Sequence, residues 1–234
     1  MKKRMGMLIC ALALLLGCAQ RDATQTVINH YIQALGGTQG LKDVKTCTLH
    51  GTMITDLSSR QPPVFEVDSV TSYAMVPDMQ VVISKTQHNG VVREGFNGPN
   101  GWRIDPRGKS LGAQGLHRTK SAFLAHPGNA LRMKTFFPGL HVAREGNVRG
   151  RSSVICECDL NFPLVFDKET GLLVQLGHHR ILENYRNVDG IMMPFVIKIS
   201  RKGGMSTLKV DGITLNDALD ASQFAPPVSP QTGR

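Results

Sequence analysis

The stretch TCTLHGTM, residues 46–53, alternates between two kinds of side chain at every second position. The odd positions, from Cys47 to Met53, are apolar or small, whereas the even positions, from Thr46 to Thr52, are polar. A period of two is typical of a strand that buries one of its faces. This stretch therefore predicts the first strand of a β-sheet.

The segment before this strand has the period of a helix. Thr24 can cap the start of a helix, and Gly36-Gly37 can end it. Between them five apolar residues recur at helical spacing, namely Val27, Ile28, Tyr31, Ile32 and Leu35. We expect this helix to lie across the sheet as a lid, with the five residues facing the sheet. One further helical turn is predicted over residues 39–44.

More strands follow, joined by turn sequences such as Asn89-Gly90 and Asp189-Gly190. They are predicted over residues 65–76, 78–85, 91–96, 102–104, 142–147, 152–160, 164–167, 172–176, 180–188, 192–201 and 206–215. Residues 106–117 predict a loop, and residues 121–133 two short helical pieces interrupted at Pro127-Gly128. The predicted fold class is mainly β (α+β): a single curled antiparallel sheet forming a half-open barrel, with the helices as its lid.

The N-terminus has the three zones of an export signal. Lys2, Lys3 and Arg4 precede an apolar run from Met7 to Leu16, which is too short to span a bilayer. The LLGC stretch that closes this run, residues 15–18, resembles the lipobox of bacterial lipoproteins. We expect a cleaved signal peptide (1–17), an acylated tether (18–23), one domain (24–224) and a C-terminal tail (225–234). An ordinary signal peptide with an incidental Cys18 is the alternative.

Acylation of the Cys18 thiol would attach the mature chain to a membrane that faces the periplasm. Ala19, by resemblance to lipoprotein sorting in enterobacteria, favours the outer membrane over the inner membrane. The net charge of +9 falls by three when the signal leaves, and the remaining basic residues form no Lys/Arg run. A nucleic-acid partner is therefore not expected.

Three further cysteines, Cys47, Cys156 and Cys158, remain in the mature chain. On a strand Cys156 and Cys158 point to the same face, and a bridge between them would be strained. A disulfide of Cys47 with Cys156 or with Cys158 is the favoured pairing. The sequence has no CxxC, HxH or HExxH spacing, so neither a metal nor another cofactor is expected.

Twelve apolar residues on alternating strand positions are predicted to face the interior of the sheet. They are Leu49, Met53, Phe65, Val67, Met79, Val81, Ile83, Phe96, Ile197, Ile199, Leu208 and Val210. They could line a cavity for an apolar ligand, and ordinary core packing would equally explain each of them. Met53 and Met79 are favoured as ligand contacts because methionine adapts to irregular apolar surfaces.

Three stretches resemble the LolA/LolB-like superfamily of outer-membrane lipoprotein-sorting carriers. They are HYIQALGG (30–37) running on to LHGTM (49–53), NGPNGW (97–102), and NYRNVDG (184–190) with Pro194-Phe195 and residues 220–226. The resemblance implies an unclosed eleven-stranded barrel, a helical lid and an apolar cavity that takes acyl chains. The predicted anchor makes the chain more similar to LolB than to the soluble LolA.

Two functional hypotheses follow from the anchor, the sheet and the resemblance. The first is a periplasmic lipoprotein that binds a lipid or a lipoprotein acyl chain, in lipoprotein or lipid transport or sorting. The alternative is a non-enzymatic envelope sensor or scaffold that uses the same fold to bind a protein partner. A hydrolase is disfavoured because the sequence has no nucleophile elbow, phosphate-binding loop or zinc-binding helix.

Overall fold

The computed structural model describes residues 23–57, 64–86, 90–98, 100–112, 122–159, 161–201 and 204–225. Within these residues one antiparallel sheet is covered on one face by the N-terminal and central helices, and a C-terminal 3-10 helix packs on the other face. The predicted signal peptide, Cys18 and nearly all of the predicted C-terminal tail lie outside the described residues.

Two helices open the described chain. Helix α1 covers residues 23–35, and helix α2, Gly37–Asp43, follows after a single residue. That residue, Gly36, has a φ of 136°, and a Cβ atom there would lie 2.5 Å from the carbonyl oxygen of Gly190. Both the backbone conformation and the close approach require glycine. Helix α2 begins two residues before the predicted turn.

Thirteen strands form the sheet within the described residues. The first six are β1 Thr46–Leu57, β2 Val64–Met75, β3 Met79–Thr86, β4 Gly90–Asn97, β5 Asn100–Ile104 and β6 Ser110–Gly112. The other seven are β7 His141–Val148, β8 Arg151–Cys158, β9 Phe162–Asp167, β10 Leu173–Leu176, β11 Arg180–Val188, β12 Ile191–Arg201 and β13 Gly204–Leu215.

The spatial order of the strands is β6-β5-β4-β3-β2-β1-β13-β12-β11-β10-β9-β8-β7. The pairing of β1 with β13 joins the two halves of the chain, with Met53 opposite Leu208. Strands β6 and β7 end the sheet and do not pair with each other in the part of the chain described. The predicted fold class, one antiparallel sheet in a half-open arrangement with a few short helices, is confirmed, although the sheet is not strongly curled.

One end of the sheet, which we call the rim end, is the end at which β1 finishes at Leu57 and β12 finishes at Arg201. Strand β7 begins at the same end, because each neighbour from β12 to β7 reverses direction. Helix α1 starts there, since the backbone N–H of Val142 donates a hydrogen bond to Thr24 Oγ1 at 3.1 Å. The helix ends at the opposite, far end, where Gly36 meets Gly190.

A second group of short helices packs beside α1. Helix α3 covers residues 122–125, a 3-10 helix covers Pro127–Arg132, and helix α4 covers Met133–Phe136. At the far end Arg132 donates hydrogen bonds to both carboxylate oxygens of Asp78, at 2.8 and 3.1 Å. None of the helices in the described ranges is long and apolar enough to cross a membrane.

The strand count exceeds the eleven implied by the family resemblance, and two of the thirteen strands, β6 and β10, have three and four residues. Strand β6 lies where the sequence predicted a loop. It pairs with β5 because the Asp105 carboxylate accepts the backbone N–H groups of Arg107 and Lys109, at 2.9 and 2.8 Å. These hydrogen bonds form a turn that reverses the chain, so β6 pairs with β5 although its sequence does not alternate between apolar and polar residues.

Candidate functional site

The face of the sheet that the helices cover is its inner face. Leu49 and Met53 of β1 lie on it and pack against the main apolar cluster, to which α1 contributes. Met53 is directly opposite Asp68 on β2 and Leu208 on β13, and Leu208 is opposite Ile197 on β12. Because directly opposed residues share a face, this register extends the inner face across the central strands.

The structure brings seven of the twelve predicted cavity residues together on the inner face. They are Leu49, Met53, Phe96, Ile197, Ile199, Leu208 and Val210. Leu208 and Val210 are buried, whereas Leu49, Met53, Phe96 and Ile197 are only half-buried. Val82, which is not among the twelve predicted residues, is also half-buried on this face. The inner face therefore keeps an accessible apolar surface.

The other five predicted cavity residues lie on the outer face. Three of them, Met79, Val81 and Ile83, pack in a second apolar cluster with Trp102 and Phe224. The Trp102 indole N–H donates a hydrogen bond to the Phe224 carbonyl at 3.2 Å, which fixes the C-terminal 3-10 helix Ala221–Phe224 against this face. The remaining two, Phe65 and Val67, are exposed.

The predicted single wall of twelve residues is therefore divided between two faces. The reason is visible in β3, where Val81, Val82 and Ile83 are consecutive apolar residues. When both faces of a strand are apolar, a period of two cannot tell which one is inside. The outer cluster depends on Phe224, which lies more than a hundred residues further along the chain.

Toward the rim end the inner face becomes polar. Thr55 follows Met53 on the same face, and its hydroxyl is 3.0 Å from that of Ser206, its partner on β13. Ser206 is opposite Ile199, and Ile199 is opposite Arg180 on β11. A largely polar row thus lies one step nearer the rim than the apolar row, in the same order as the head and tail of an amphiphile.

Charged groups lie in and beside this polar row: Glu66 is opposite Thr55, Arg180 is opposite Ile199, and Asp68 is one step further from the rim, opposite Met53. Burial raises the pKa of Asp68, as does the neighbouring Glu66, while Arg201 acts to lower it. Oδ1 of Asp68 is buried without a hydrogen-bond partner among the described residues. Burial lowers the pKa of the Arg180 guanidinium, and the charge of Arg201 lowers it further. The rim therefore offers both signs of charge to a polar group.

Helix α1 closes part of the inner face. Four of the five residues predicted to face the sheet, Ile28, Tyr31, Ile32 and Leu35, are buried, and Val27 is half-buried. The Tyr31 ring meets Phe166 of β9 edge to face, with 5.4 Å between the ring centroids. These five residues form the packing side of α1, and opening of the helix as a lid stays a prediction.

Space remains beneath the start of α1. A pocket of about 370 Å³ lies between this helix and strands β7 to β9, with apolar walls from Val27, Val142, Val154 and Phe166. Small-molecule sites commonly have volumes of roughly 300–1,000 Å³. The helix therefore does not fill the inner face completely on this side of the sheet.

The three cysteines of the described chain are free and buried, so the predicted disulfide of Cys47 with Cys156 or Cys158 is not present. Strand β1, which carries Cys47, is six strand positions away from β8, which carries the other two. Neither pair of cysteines therefore lies on the same strand or on neighbouring strands. Burial raises the pKa of both Cys47 and Cys156 to about 12.

The pKa of one carboxylate, Asp167, is set by the turn in which it lies. Burial acts to raise the pKa of Asp167, but hydrogen bonds from Thr170, Arg151 and Glu169 outweigh it and lower the pKa. Those bonds hold the β9–β10 turn, which is a structural role. Among the described residues no three His, Cys, Asp or Glu side chains are placed to hold a metal ion.

No protein-family model and no curated protein matches the sequence. Solved structures match its fold. A LolA superfamily protein from Nitrosomonas europaea has a TM-score of 0.58 at 13% identity, covering 87% of this chain and 97% of that one. A lipoprotein-sorting domain of the outer membrane from Vibrio parahaemolyticus has a TM-score of 0.56 at 9% identity, covering 87% and 96%.

A DUF1329 family protein from Desulfovibrio piger is similar to the same degree, with a TM-score of 0.55 at 10% identity over 86% of this chain and 97% of that chain. Identities this low establish the fold alone. The resemblance to the LolA/LolB-like superfamily is thereby confirmed as a likeness of fold.

Proposed function

We propose that this protein binds an acyl chain of a lipid or a lipoprotein on the inner face of its sheet, in lipid or lipoprotein transport or sorting. The order of side chains along the strands carries the proposal: the apolar Leu49, Met53 and Ile197 are half-buried, and the polar row with Thr55 and Ser206 lies nearer the rim. Each methylene group that leaves water contributes about 0.8 kcal/mol, so even part of an acyl chain would bind measurably.

The charged rim suits the polar end of such a ligand. An acyl chain laid along the apolar row would bring its ester, amide or phosphate group to Arg180 and Arg201. The guanidinium groups can donate several hydrogen bonds to oxygen atoms in that position. The likeness of fold to a LolA superfamily protein supports the same assignment.

Replacing Met53 with lysine is expected to weaken binding of a fluorescent fatty acid by at least about tenfold, because the ligand would then cover an ammonium group instead of a thioether. Thr52→Lys is the matched control, because Thr52 is the adjacent half-buried residue on the same strand but faces outward. Fluorescence titration of the delipidated protein measures the affinity, and thermal melting verifies that both variants are folded.

Native mass spectrometry of the protein as purified gives an independent measurement. We expect co-purified acyl species in the wild type and fewer of them in Met53→Lys. A wild-type protein that is empty in the spectrum and also ignores the fluorescent fatty acid would exclude the proposed ligand class.

We further propose that acyl chains on Cys18 anchor the protein at the periplasmic face of the outer membrane. Support comes from the LLGC stretch and from Ala19. Cys18→Ser should abolish incorporation of labelled palmitate, whereas Cys47→Ser, at a buried thiol, should retain it. Equal labelling of the wild type and Cys18→Ser would refute the anchor.

The scaffold hypothesis rests on strand β7. It is the last strand of the sheet and is largely exposed, so a partner strand could pair with it. However, the pairing register of β7 with β8 shifts between Val142 and Arg144, and β7 carries the charged residues Arg144 and Glu145. The register shift and the charges each disfavour pairing with a further strand. Periplasmic cross-linking separates the hypotheses, because a carrier would capture many lipoproteins and a scaffold one stable partner.

A further inference from the structure

The sheet is split between β10 and β11. Within the described residues only two residue pairs join these strands, one of them Gln175 with Ile181, whereas eight pairs join β11 to β12. Toward the far end the two strands separate, and the Tyr185 hydroxyl donates a hydrogen bond of 2.7 Å to the Leu173 carbonyl across the gap. A side chain of β11 thus reaches into the split and satisfies a backbone group of β10.

The strands around the split are irregular at the same place. The pairing of β10 with β9 shifts at Val174, and the pairing of β11 with β12 passes over Asn184, whose φ is 54°. Pro194 of β12 lies opposite Tyr185, although proline cannot donate a hydrogen bond to a neighbouring strand. Irregularities of this kind are frequent beside functional sites.

The split contains a pocket of about 600 Å³. Its apolar walls come from Leu172, Val174, Ile181 and Leu182. Leu182 is only 1% exposed and belongs to the main apolar cluster, so the pocket reaches the core. Ile181 shares an outward-facing row with Val67 by strand register. The pocket therefore opens on the outer face and is separate from the proposed acyl site on the inner face.

Charged groups line the same pocket. They are Arg149 and Arg151, in and beside the β7–β8 turn, and Glu183. Arg151 pairs with Asp167 at 3.3 Å, and Glu183 pairs with Lys198 at 2.7 Å. In the part of the chain that the structure describes, no carboxylate pairs with Arg149. Three cations against two carboxylates leave one positive charge in excess.

We infer that this pocket binds a small amphiphilic anion. The apolar body of the ligand would lie against Val174 and Ile181, and its carboxylate, sulfonate or phosphate group would accept hydrogen bonds from Arg149. The volume is in the range of small-molecule sites, roughly 300–1,000 Å³, and a guanidinium offers several N–H donors to one anionic group. The inference goes beyond the proposed function and does not depend on it, because the two sites lie on opposite faces.

Two fluorescent probes with the same aromatic body test the inference. Anilinonaphthalene sulfonate carries one negative charge, and N-phenyl-1-naphthylamine lacks it. Both are titrated into the delipidated Met53→Lys protein, in which binding to the inner face should be weakened. The comparisons below involve only the outer pocket, so they are valid whether or not the inner face binds acyl chains.

Arg149→Gln is expected to weaken binding of the sulfonate probe about fivefold and to leave the neutral probe unchanged, because the substitution removes only the charge that meets the anion. Arg107→Gln, at an exposed arginine of the β5–β6 turn, is the matched control and should alter neither affinity. An unchanged sulfonate affinity in Arg149→Gln, or an equal loss for both probes, would overturn recognition of an anion.

Val174→Trp fills the pocket and should weaken binding of both probes, and thermal melting verifies that the variant is folded. Full binding of both probes in this variant would overturn the pocket as the site.

Nuclear magnetic resonance of isoleucine methyl groups gives the location independently. The sulfonate probe should shift the signal of Ile181 and leave that of Ile54, which is on the same outer face three strand positions away. A probe that shifts Ile54, or Ile197 on the inner face, without Ile181 would show that it binds elsewhere and would overturn the inference.

Discussion

Replacing Phe137 with alanine is expected to lower the free energy of unfolding by about 4 kcal/mol. Phe137 has 0% exposure and follows α4 immediately. Its ring meets Phe123 of α3 edge to face, with centroids 4.9 Å apart, and stacks on Phe162 of β9 at 5.9 Å. The substitution would remove packing against the helices and against the sheet together, and it would leave a cavity where the two layers join.

The matched control is Phe65→Ala, which deletes the same side chain at an exposed position of β2. It should alter the unfolding free energy by no more than about 0.5 kcal/mol. Urea unfolding followed by far-ultraviolet circular dichroism measures both variants. Equal losses in the two would show that Phe137 does not join the helices to the sheet.

The fold class could be predicted because the spacing of apolar residues along the sequence agrees with the observed helices and strands over much of the chain. The helical spacing before Gly36 and the alternation after Thr46 separate α1 from β1, and both elements are present. Strand β6 was missed because Ser110–Gly112 is too short to show a period. It is fixed by Asp105, whose hydrogen bonds to the following turn are not a hydrophobic pattern.

The candidate site was only partly predictable, because its face is chosen by contacts between distant parts of the chain. Leu208 reaches Met53 only through the pairing of β13 with β1. Val81 and Val82 are equivalent in the sequence until Phe224 covers the outer face. The disulfide prediction failed for the same reason, since the separation of Cys47 from Cys156 depends on the complete strand order.

Phe65 and Val67 show how a misplaced residue can still be informative. Their alternation predicts an interior wall, yet they are exposed. An apolar residue at every second position predicts that one side of a strand leaves water, and it does not specify what covers that side. The structure places this side at the rim end of the outer face, where Phe65 stays 65% exposed.

Lowering the pH from about 6.5 to 4 is expected to remove about 3 kcal/mol of stability through His126 alone. This side chain is buried, and its Nδ1 accepts the backbone N–H of Gly128 at 3.1 Å, which starts the 3-10 helix. Burial, together with the charge of Lys45, lowers the pKa of His126 from 6.5 to about 4. A hydrogen bond with the backbone of Lys45 acts in the opposite direction and raises the pKa, but it is outweighed. The folded protein therefore holds His126 neutral.

The sign follows from proton uptake. The unfolded chain binds a proton at His126 near pH 6.5, whereas the folded chain binds it only near pH 4, so between these values the unfolded state holds more protons. The contribution is complete above about pH 6.5 and is lost as the pH falls to 4. Each unit of difference between the pKa of His126 in the unfolded chain and in the folded chain corresponds to about 1.36 kcal/mol. The difference between 6.5 and about 4 therefore gives a loss of about 3 kcal/mol.

His126→Asn tests this prediction, because asparagine can accept the same N–H from Gly128 but cannot titrate. Urea unfolding at several pH values between 4 and 7 should show a shallower pH dependence in the variant. If the variant keeps the full slope, the acid-sensitive group lies elsewhere. Since His126 begins the 3-10 helix that carries Arg132 to Asp78, protonation should loosen the helices over the inner face before the sheet itself unfolds.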